Sequence, residues 1–153
     1  MKSLFGLVLI LTLSISCTEN KAKVDSKNPM PIAGTWKLIT GTLIDKKDTT
    51  VTDYTKNTAF IKVINQDHFA FLQHDLSKPK DSTGAFSAGG GHYSLSDSLY
   101  TEHLEYCSDR QWEGNDFPFV ITIINDTLVQ RGIEKVESAG VNRINIEKYL
   151  RIK

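Results

Sequence analysis

The sequence predicts an all-β domain, specifically an eight-stranded antiparallel up-and-down β-barrel. Short apolar segments recur at close spacing from Ile32 onward, polar turns separate them, and no segment keeps a helical periodicity. Closing eight strands into a barrel removes the exposed sheet edges that promote aggregation. A two-sheet sandwich is the alternative, but sandwiches usually need long crossover connections and few loops here are long enough.

Each strand is predicted from an apolar run between turn residues. In chain order the predicted strands cover 33–45, 57–65, 67–74, 85–95, 99–107, 117–124, 127–136 and 144–152. Asn125-Asp126 suits a primed two-residue turn. Ser108–Gln111 resembles a capping box and predicts a single helical turn ahead of Trp112. Ser77–Gly84 is the most loop-like stretch within the domain.

The N-terminal segment is predicted to be a targeting signal. Leu4–Ile15 is uncharged, too short to span a bilayer and of the length of a secretory signal core. Leu13–Cys17 resembles the lipobox of bacterial lipoproteins, although Ser14 stands where leucine is commonest; the resemblance implies that Cys17 is lipidated. We therefore expect a signal peptide at 1–17, a flexible tether at 18–31 and the barrel domain at 32–153. Cleavage at another position, giving a soluble periplasmic protein, is the alternative.

Charge and cysteine content narrow the functional classes. The 153 residues carry 18 Lys+Arg and 18 Asp+Glu, so no basic field is available to bind nucleic acid. If Cys17 carries lipid, Cys107 has no intrachain disulfide partner, and a single thiol at a strand end is most often a small apolar filler.

The candidate binding site comes from the hairpin Ala85–Cys107. In its second strand Tyr100, Glu102, Leu104 and Tyr106 alternate with polar residues, so we expect this apolar face, and Glu102 with it, to point inward. A buried carboxylate needs hydrogen bonds or a counterion.

The predicted ligand-binding residues share inward positions on three strands: Tyr93, Glu102, Tyr106 and Gln130. Such a cluster suits a small apolar or amphipathic ligand, because binding cavities are mostly apolar with a few polar groups. The alternative is structural: Glu102 accepts hydrogen bonds from tyrosine hydroxyls and fixes strand register, and the barrel is a filled, non-catalytic interaction module. No protein partner can be named from the sequence.

Other chemistry has little support in the sequence. His92 and His103 could approach each other with Glu105, but strand parity places His103 and Glu105 toward solvent, so no metal site is predicted. The glycines before His92 precede a strand rather than a helix, which favours a bend over a phosphate site. No nucleophile–base motif is found, so neither an enzyme nor a cofactor is expected. Trp112 is either part of a lid over the barrel or an anchor for its loop.

A resemblance adds to this interpretation. Gly34-Thr35-Trp36 resembles the Gly-x-Trp opening of lipocalins and other calycins. With the glycine run 89–91, Tyr100–His103 and Arg151, the chain from Ile32 resembles the lipocalin-like domain of uncharacterised Gram-negative envelope lipoproteins. The resemblance implies a barrel in which Arg151 stacks on Trp36, and an outer-membrane, lipid-anchored location; it implies no agreed activity.

The last strand gives two conflicting orientations. Ile144, Ile146, Leu150 and Ile152 share one face, which the hydrophobic pattern places inside. The resemblance instead turns the opposite face, with Tyr149 and Arg151, toward the barrel. A bulge, or another surface covering the aliphatic face, could reconcile the two.

Overall fold

The computed structural model describes residues 32–77 and 84–153. The predicted signal peptide and tether lie outside these residues, as does most of the predicted loop at Ser77–Gly84. Nine strands and two short 3₁₀ turns are present in the described part of the chain. The strands are β1 (Gly34–Asp45), β2 (Asp48–Asp53), β3 (Thr58–Ile64), β4 (His68–Asp75), β5 (Phe86–Ser96), β6 (Leu99–Cys107), β7 (Asp116–Ile124), β8 (Thr127–Val136) and β9 (Val141–Arg151).

Eight of these strands form a closed antiparallel barrel, which confirms the predicted fold class. The order is β1-β3-β4-β5-β6-β7-β8-β9, and pairing of β9 with β1 closes the barrel. The sequence prediction missed β2, which extends β1 as a hairpin and is exposed at every residue. Its polar sequence, DTTVTD, carries no apolar face that would predict a core strand.

The turns follow from residues that tolerate positive φ. Asn125, between β7 and β8, has φ 54°, as the first central residue of a primed turn requires. The predicted helical turn forms as a 3₁₀ turn at Arg110–Trp112, where the Asp109 side chain accepts a hydrogen bond from the backbone N–H of Gln111. A second 3₁₀ turn covers Glu137–Ala139, before β9.

The apolar core fills one end of the barrel. Strand β1 begins at this end and β9 runs back to it, so the described chain begins and ends there. Its largest fully buried apolar and aromatic side chains are Trp36, Leu38, Tyr100, Ile121, Leu128 and Tyr149. The other end carries both 3₁₀ turns, joined by a hydrogen bond from Ser138 Oγ to the carbonyl of Gln111.

The orientation of β9 is the one that the resemblance implies. Asn145 and Tyr149 are buried, whereas Leu150 and Ile152 are exposed. No bulge interrupts the pairing of β9 with β8; the irregularity lies in β1, between Leu38 and Thr40. The aliphatic face is therefore the outer face, and the hydrophobic pattern alone indicates the wrong side.

Candidate functional site

A cavity of about 310 Å³ opens at the end of the barrel that carries the 3₁₀ turns. Aromatic side chains and Leu104 form its apolar wall, and polar and charged side chains form its floor and rim. The lining residues are Phe60, Lys62, Phe71, Ser87, Glu102, Leu104, Cys107, Asp109, Trp112, Phe117, Phe119, Gln130, Glu134, Arg143 and Glu147. This combination is the usual composition of a small-molecule site.

The floor of the cavity is built on a buried ion pair. Lys62 Nζ donates to Glu102 Oε1 at 2.6 Å, and the two side chains are only 3% and 8% exposed. Lys62 also lies within 6.0 Å of the ring centres of three aromatic residues, Phe69, Phe119 and Tyr149. Because an unpaired charge at this depth would cost several kcal/mol, Glu102 and Lys62 require each other.

The pair continues into a hydrogen-bonded network across the barrel. Lys62 Nζ donates to Gln130 Oε1 at 3.2 Å, and Gln130 Nε2 donates to Glu147 Oε2 at 2.6 Å. The Tyr149 hydroxyl donates to the same Glu147 oxygen at 2.8 Å. Gln130 and Glu147 face each other in the β8–β9 ladder, so sheet register alone brings their side chains together.

Burial shifts the proton affinities of this network. Burial raises the pKa of Glu102, while the Lys62 ammonium opposes that rise. Burial, with the nearby Glu102 carboxylate, also raises the pKa of Tyr100 far above its ordinary value. The Tyr100 hydroxyl has no hydrogen-bond partner within the described ranges. The direct hydrogen bond to the Glu102 carboxylate therefore comes from Lys62, and the Tyr100 hydroxyl lies close enough to Glu102 for the two groups to influence each other's pKa.

A second ion pair lies at the rim. Arg143 Nε donates to Glu134 Oε2 at 2.7 Å, and Asn145 Nδ2 donates to Glu134 Oε1 at 2.7 Å. The guanidinium of Arg143 also lies 5.5 Å from the ring centre of Trp112. Trp112, from the first 3₁₀ turn, forms part of the cavity wall and packs against Phe117.

The structure brings together two of the four predicted ligand-binding residues. Glu102 and Gln130 both line the cavity, and Lys62 connects them. Tyr93 points inward but lies at the closed end, where its ring packs on Tyr100 and its hydroxyl donates to the carbonyl of Asn65. Tyr93 is not among the described residues that line the cavity.

The inward placement of Tyr106 is wrong. Its side chain is 69% exposed, on the outside of the barrel. Gly90 pairs with Tyr106 and Gly91 with Leu104, so one extra residue, Glu105, forms a β-bulge in β6. Beyond this bulge the alternation reverses, and Cys107 rather than Tyr106 reaches the core.

Sequence reasoning missed Lys62 and Glu147, which complete the floor. Lys62 shares strand parity with the buried Phe60 and Ile64, and this was the available signal. Glu147 shares parity with Tyr149, whose inward orientation the resemblance implied. Both were overlooked because charged residues are almost never fully buried unless they are paired, and the pairing is visible only in three dimensions.

The histidines lie on the outer surface of the barrel. The rings of His92 and His103 stack at 4.3 Å, and their Nδ1 atoms contact Glu105 and Asp116 respectively. No group of three or more His, Cys, Asp or Glu residues with metal-binding geometry occurs in the described ranges. Cys107 is a free thiol at the cavity wall, where it serves as part of the packing.

The barrel end opposite the cavity is closed by the contact that the resemblance implies. The guanidinium of Arg151 stacks 4.0 Å from the ring centre of Trp36, and its Nη1 donates to the carbonyl of Ala33 at 2.7 Å. The Trp36 indole N–H donates to the carbonyl of Ile32 at 2.8 Å. These contacts join the first strand to the last and have a structural role.

Comparisons with known proteins add no relative: no protein-family model matches the chain, and a search of curated proteins finds no match. Among the residues that the structure describes, no helix has the length and apolar character needed to cross a bilayer.

Proposed function

We propose that this protein is a lipocalin-like, non-catalytic binding protein of the Gram-negative cell envelope. It holds a small apolar or amphipathic ligand in the barrel cavity. The observation that supports this proposal is the 310 Å³ cavity itself, with aromatic walls above a polar floor. An open cavity favours ligand binding over the alternative of a filled barrel that serves only as an interaction module.

The chemistry of the floor also suits binding. Lys62, Glu102 and Gln130 hold one another in place, and such a preorganised polar network can orient a bound molecule without reorganising. The proposed role is binding rather than turnover, since the network contains no nucleophile activated by an adjacent base.

Ligand binding can be tested with a neutral fluorescent probe, N-phenylnaphthylamine, added to the purified full-length chain. Ser87 lines the cavity, whereas Ser94 lies on the outer face of the same strand, β5. We expect Ser87→Trp to fill the cavity and weaken probe binding at least about tenfold, and Ser94→Trp to leave it unchanged. Equal binding by both variants and the wild type, or no binding by the wild type, would contradict the proposal.

The envelope location rests on the N-terminal sequence alone. We propose that Cys17 carries a lipid that anchors the chain to the outer membrane. Metabolic labelling with an alkyne fatty acid in a Gram-negative host tests this: Cys17→Ser should abolish labelling and Cys107→Ser should retain it. Labelling that survives in the Cys17→Ser variant excludes the proposed anchor.

A further inference from the structure

Among the described residues that line the cavity, acids outnumber cations. Two cationic side chains face four carboxylates there, which leaves two negative charges uncompensated when all six groups are ionised. These residues are Lys62, Arg143, Glu102, Asp109, Glu134 and Glu147. A bound molecule of matching charge would therefore be a cation.

The pairing within the cavity locates the uncompensated charge. Lys62 pairs with Glu102 at 2.6 Å and Arg143 pairs with Glu134 at 2.7 Å, so these four residues neutralise one another. Asp109 is exposed and caps the 3₁₀ turn. Within the described ranges Glu147 has no cation closer than Lys62, which it shares with Glu102.

Glu147 is placed to receive a cation. Its side chain is only 15% exposed, and its close partners, Gln130 and Tyr149, are neutral donors. Lys62 Nζ lies 4.0 Å from Glu147 Oε2 and is already bound to Glu102. Both hydrogen bonds use Oε2, and within the described ranges no hydrogen bond uses Oε1. The second oxygen of this carboxylate is thus available to a ligand.

The walls above this carboxylate are also suited to organic cations. Five aromatic residues of the described lining surround the cavity: Phe60, Phe71, Trp112, Phe117 and Phe119. The faces of aromatic rings attract ammonium groups electrostatically and also pack against apolar ligand atoms. An anionic ligand, such as a fatty acid, would instead place its carboxylate among described lining residues in which acids already outnumber cations.

We propose that the ligand is an amphipathic amine, whose ammonium group binds Glu147 and whose apolar body packs against the aromatic walls. This inference rests on the proposed ligand-binding function and specifies its substrate class. The charge-assisted hydrogen bond from an ammonium to Glu147 is the interaction that distinguishes an amine from an uncharged analogue of the same shape.

The test uses two probe sets, each with one carbon skeleton and three head groups. The first set is phenethylamine, phenethyl alcohol and phenylacetate; the second is octylamine, octanol and octanoate. Affinities for the purified full-length chain are measured by titration calorimetry at neutral pH. In both sets we expect the amine to bind at least about tenfold more tightly than the alcohol, and the carboxylate to bind most weakly.

Glu147→Gln tests the assigned residue, because glutamine preserves the shape and still accepts the hydrogen bonds from Gln130 and Tyr149. The variant should bind the amines about as weakly as the alcohols, while its affinity for the alcohols stays within about twofold of wild type. Glu137→Gln, which removes an exposed acid outside the cavity, is the matched control and should retain the preference. Thermal unfolding of both variants verifies that they fold.

The outcomes separate this inference from the function on which it rests. Binding of the alcohols without a preference for amines, a preference for carboxylates, or an amine preference that survives in Glu147→Gln overturns the inference and leaves ligand binding standing. If none of the six compounds binds the wild-type protein and N-phenylnaphthylamine also fails to bind, the proposed function itself is overturned.

Discussion

At the scale of single residues, the floor of the cavity depends on the buried Glu102 carboxylate, which must be paired with a cation. Glu102 lies on the inner wall because strand parity places it there, between the buried residues Tyr100 and Leu104. Its carboxylate is tolerated because Lys62, forty positions earlier in the chain, donates to it from β3. Removing either partner leaves a buried charge whose solvation has been lost.

Replacing Lys62 with methionine should destabilise the protein by about 3–5 kcal/mol at neutral pH, as measured by urea unfolding. The variant Lys62→Met/Glu102→Leu, which removes both charges, should be more stable than Lys62→Met alone. If Lys62→Met alone lowers the free energy of unfolding by less than about 1 kcal/mol, Lys62 is not needed to offset the cost of burying the Glu102 carboxylate.

The defect in Lys62→Met should also depend on pH in a defined direction. Burial raises the pKa of Glu102 and the Lys62 ammonium opposes that rise, so in Lys62→Met the folded state binds this proton more tightly than in the wild type. The contribution of the Glu102 carboxyl to the free energy of unfolding is fully present below the pKa of the unfolded state, about 4.3. It is lost as the pH rises through the pKa of the folded state. The loss in free energy of unfolding caused by Lys62→Met should therefore be smaller near pH 4 than near pH 8. A loss that grows on acidification would contradict the role of Lys62 in compensating the charge of Glu102.

At the scale of strands and turns, the bulge in β6 decides which side chains reach the cavity. Before the bulge Glu102 and Leu104 point inward, and after it Cys107 does, while Tyr106 turns outside. The partner strand carries three glycines at this point, and a Cβ on Gly91 would collide with the carbonyl oxygen of His103. The glycine run therefore permits the close approach of two backbones.

Gly91→Ala tests this role of the glycine run. We expect a loss of about 1–3 kcal/mol, because the methyl group meets backbone that cannot move without breaking the bulge. Gly114→Ala is a useful comparison: Gly114 has φ 76° and an added Cβ meets nothing within 4 Å, so only conformational strain of about 1–2 kcal/mol applies. Chemical denaturation measures both free energies of unfolding. If Gly91→Ala is neutral, the close approach is not required.

The sequence predicts strands better than it predicts the site. All eight barrel strands could be predicted, since each combines an apolar alternation with flanking turn residues. The orientation of Tyr106 could not, because a bulge leaves no mark on the local alternation and depends on the partner strand. Likewise strand parity with Phe60 and Ile64 indicates an inward position for Lys62, but the ion pair that makes this burial possible could not be predicted, because Glu102 is forty positions away in sequence.

At the scale of the whole molecule, the strands of the closed barrel and the added strand β2 differ in local stability. Each barrel strand pairs on both sides, so opening one of them breaks two ladders. In the described part of the chain, strand β2 pairs with β1 alone, and none of its residues is buried. Local stability follows such differences in pairing and burial.

Amide hydrogen exchange should show this difference directly. We expect the amides of β2 to exchange well before those of β3, which lies within the barrel and includes buried residues. Exchange followed by mass spectrometry, with peptides that separate Asp48–Asp53 from Thr58–Ile64, measures both rates in one sample. Equal protection of the two strands would mean that β2 belongs to the same cooperative unit as the barrel.

The stack of Arg151 on Trp36 has a practical consequence for handling the protein. It fixes the first and last described strands together at the barrel end farthest from Trp112 and the cavity mouth. A sensor chip coupled just beyond Lys153 would thus hold the molecule by its sealed base, with the entrance turned toward the flowing sample.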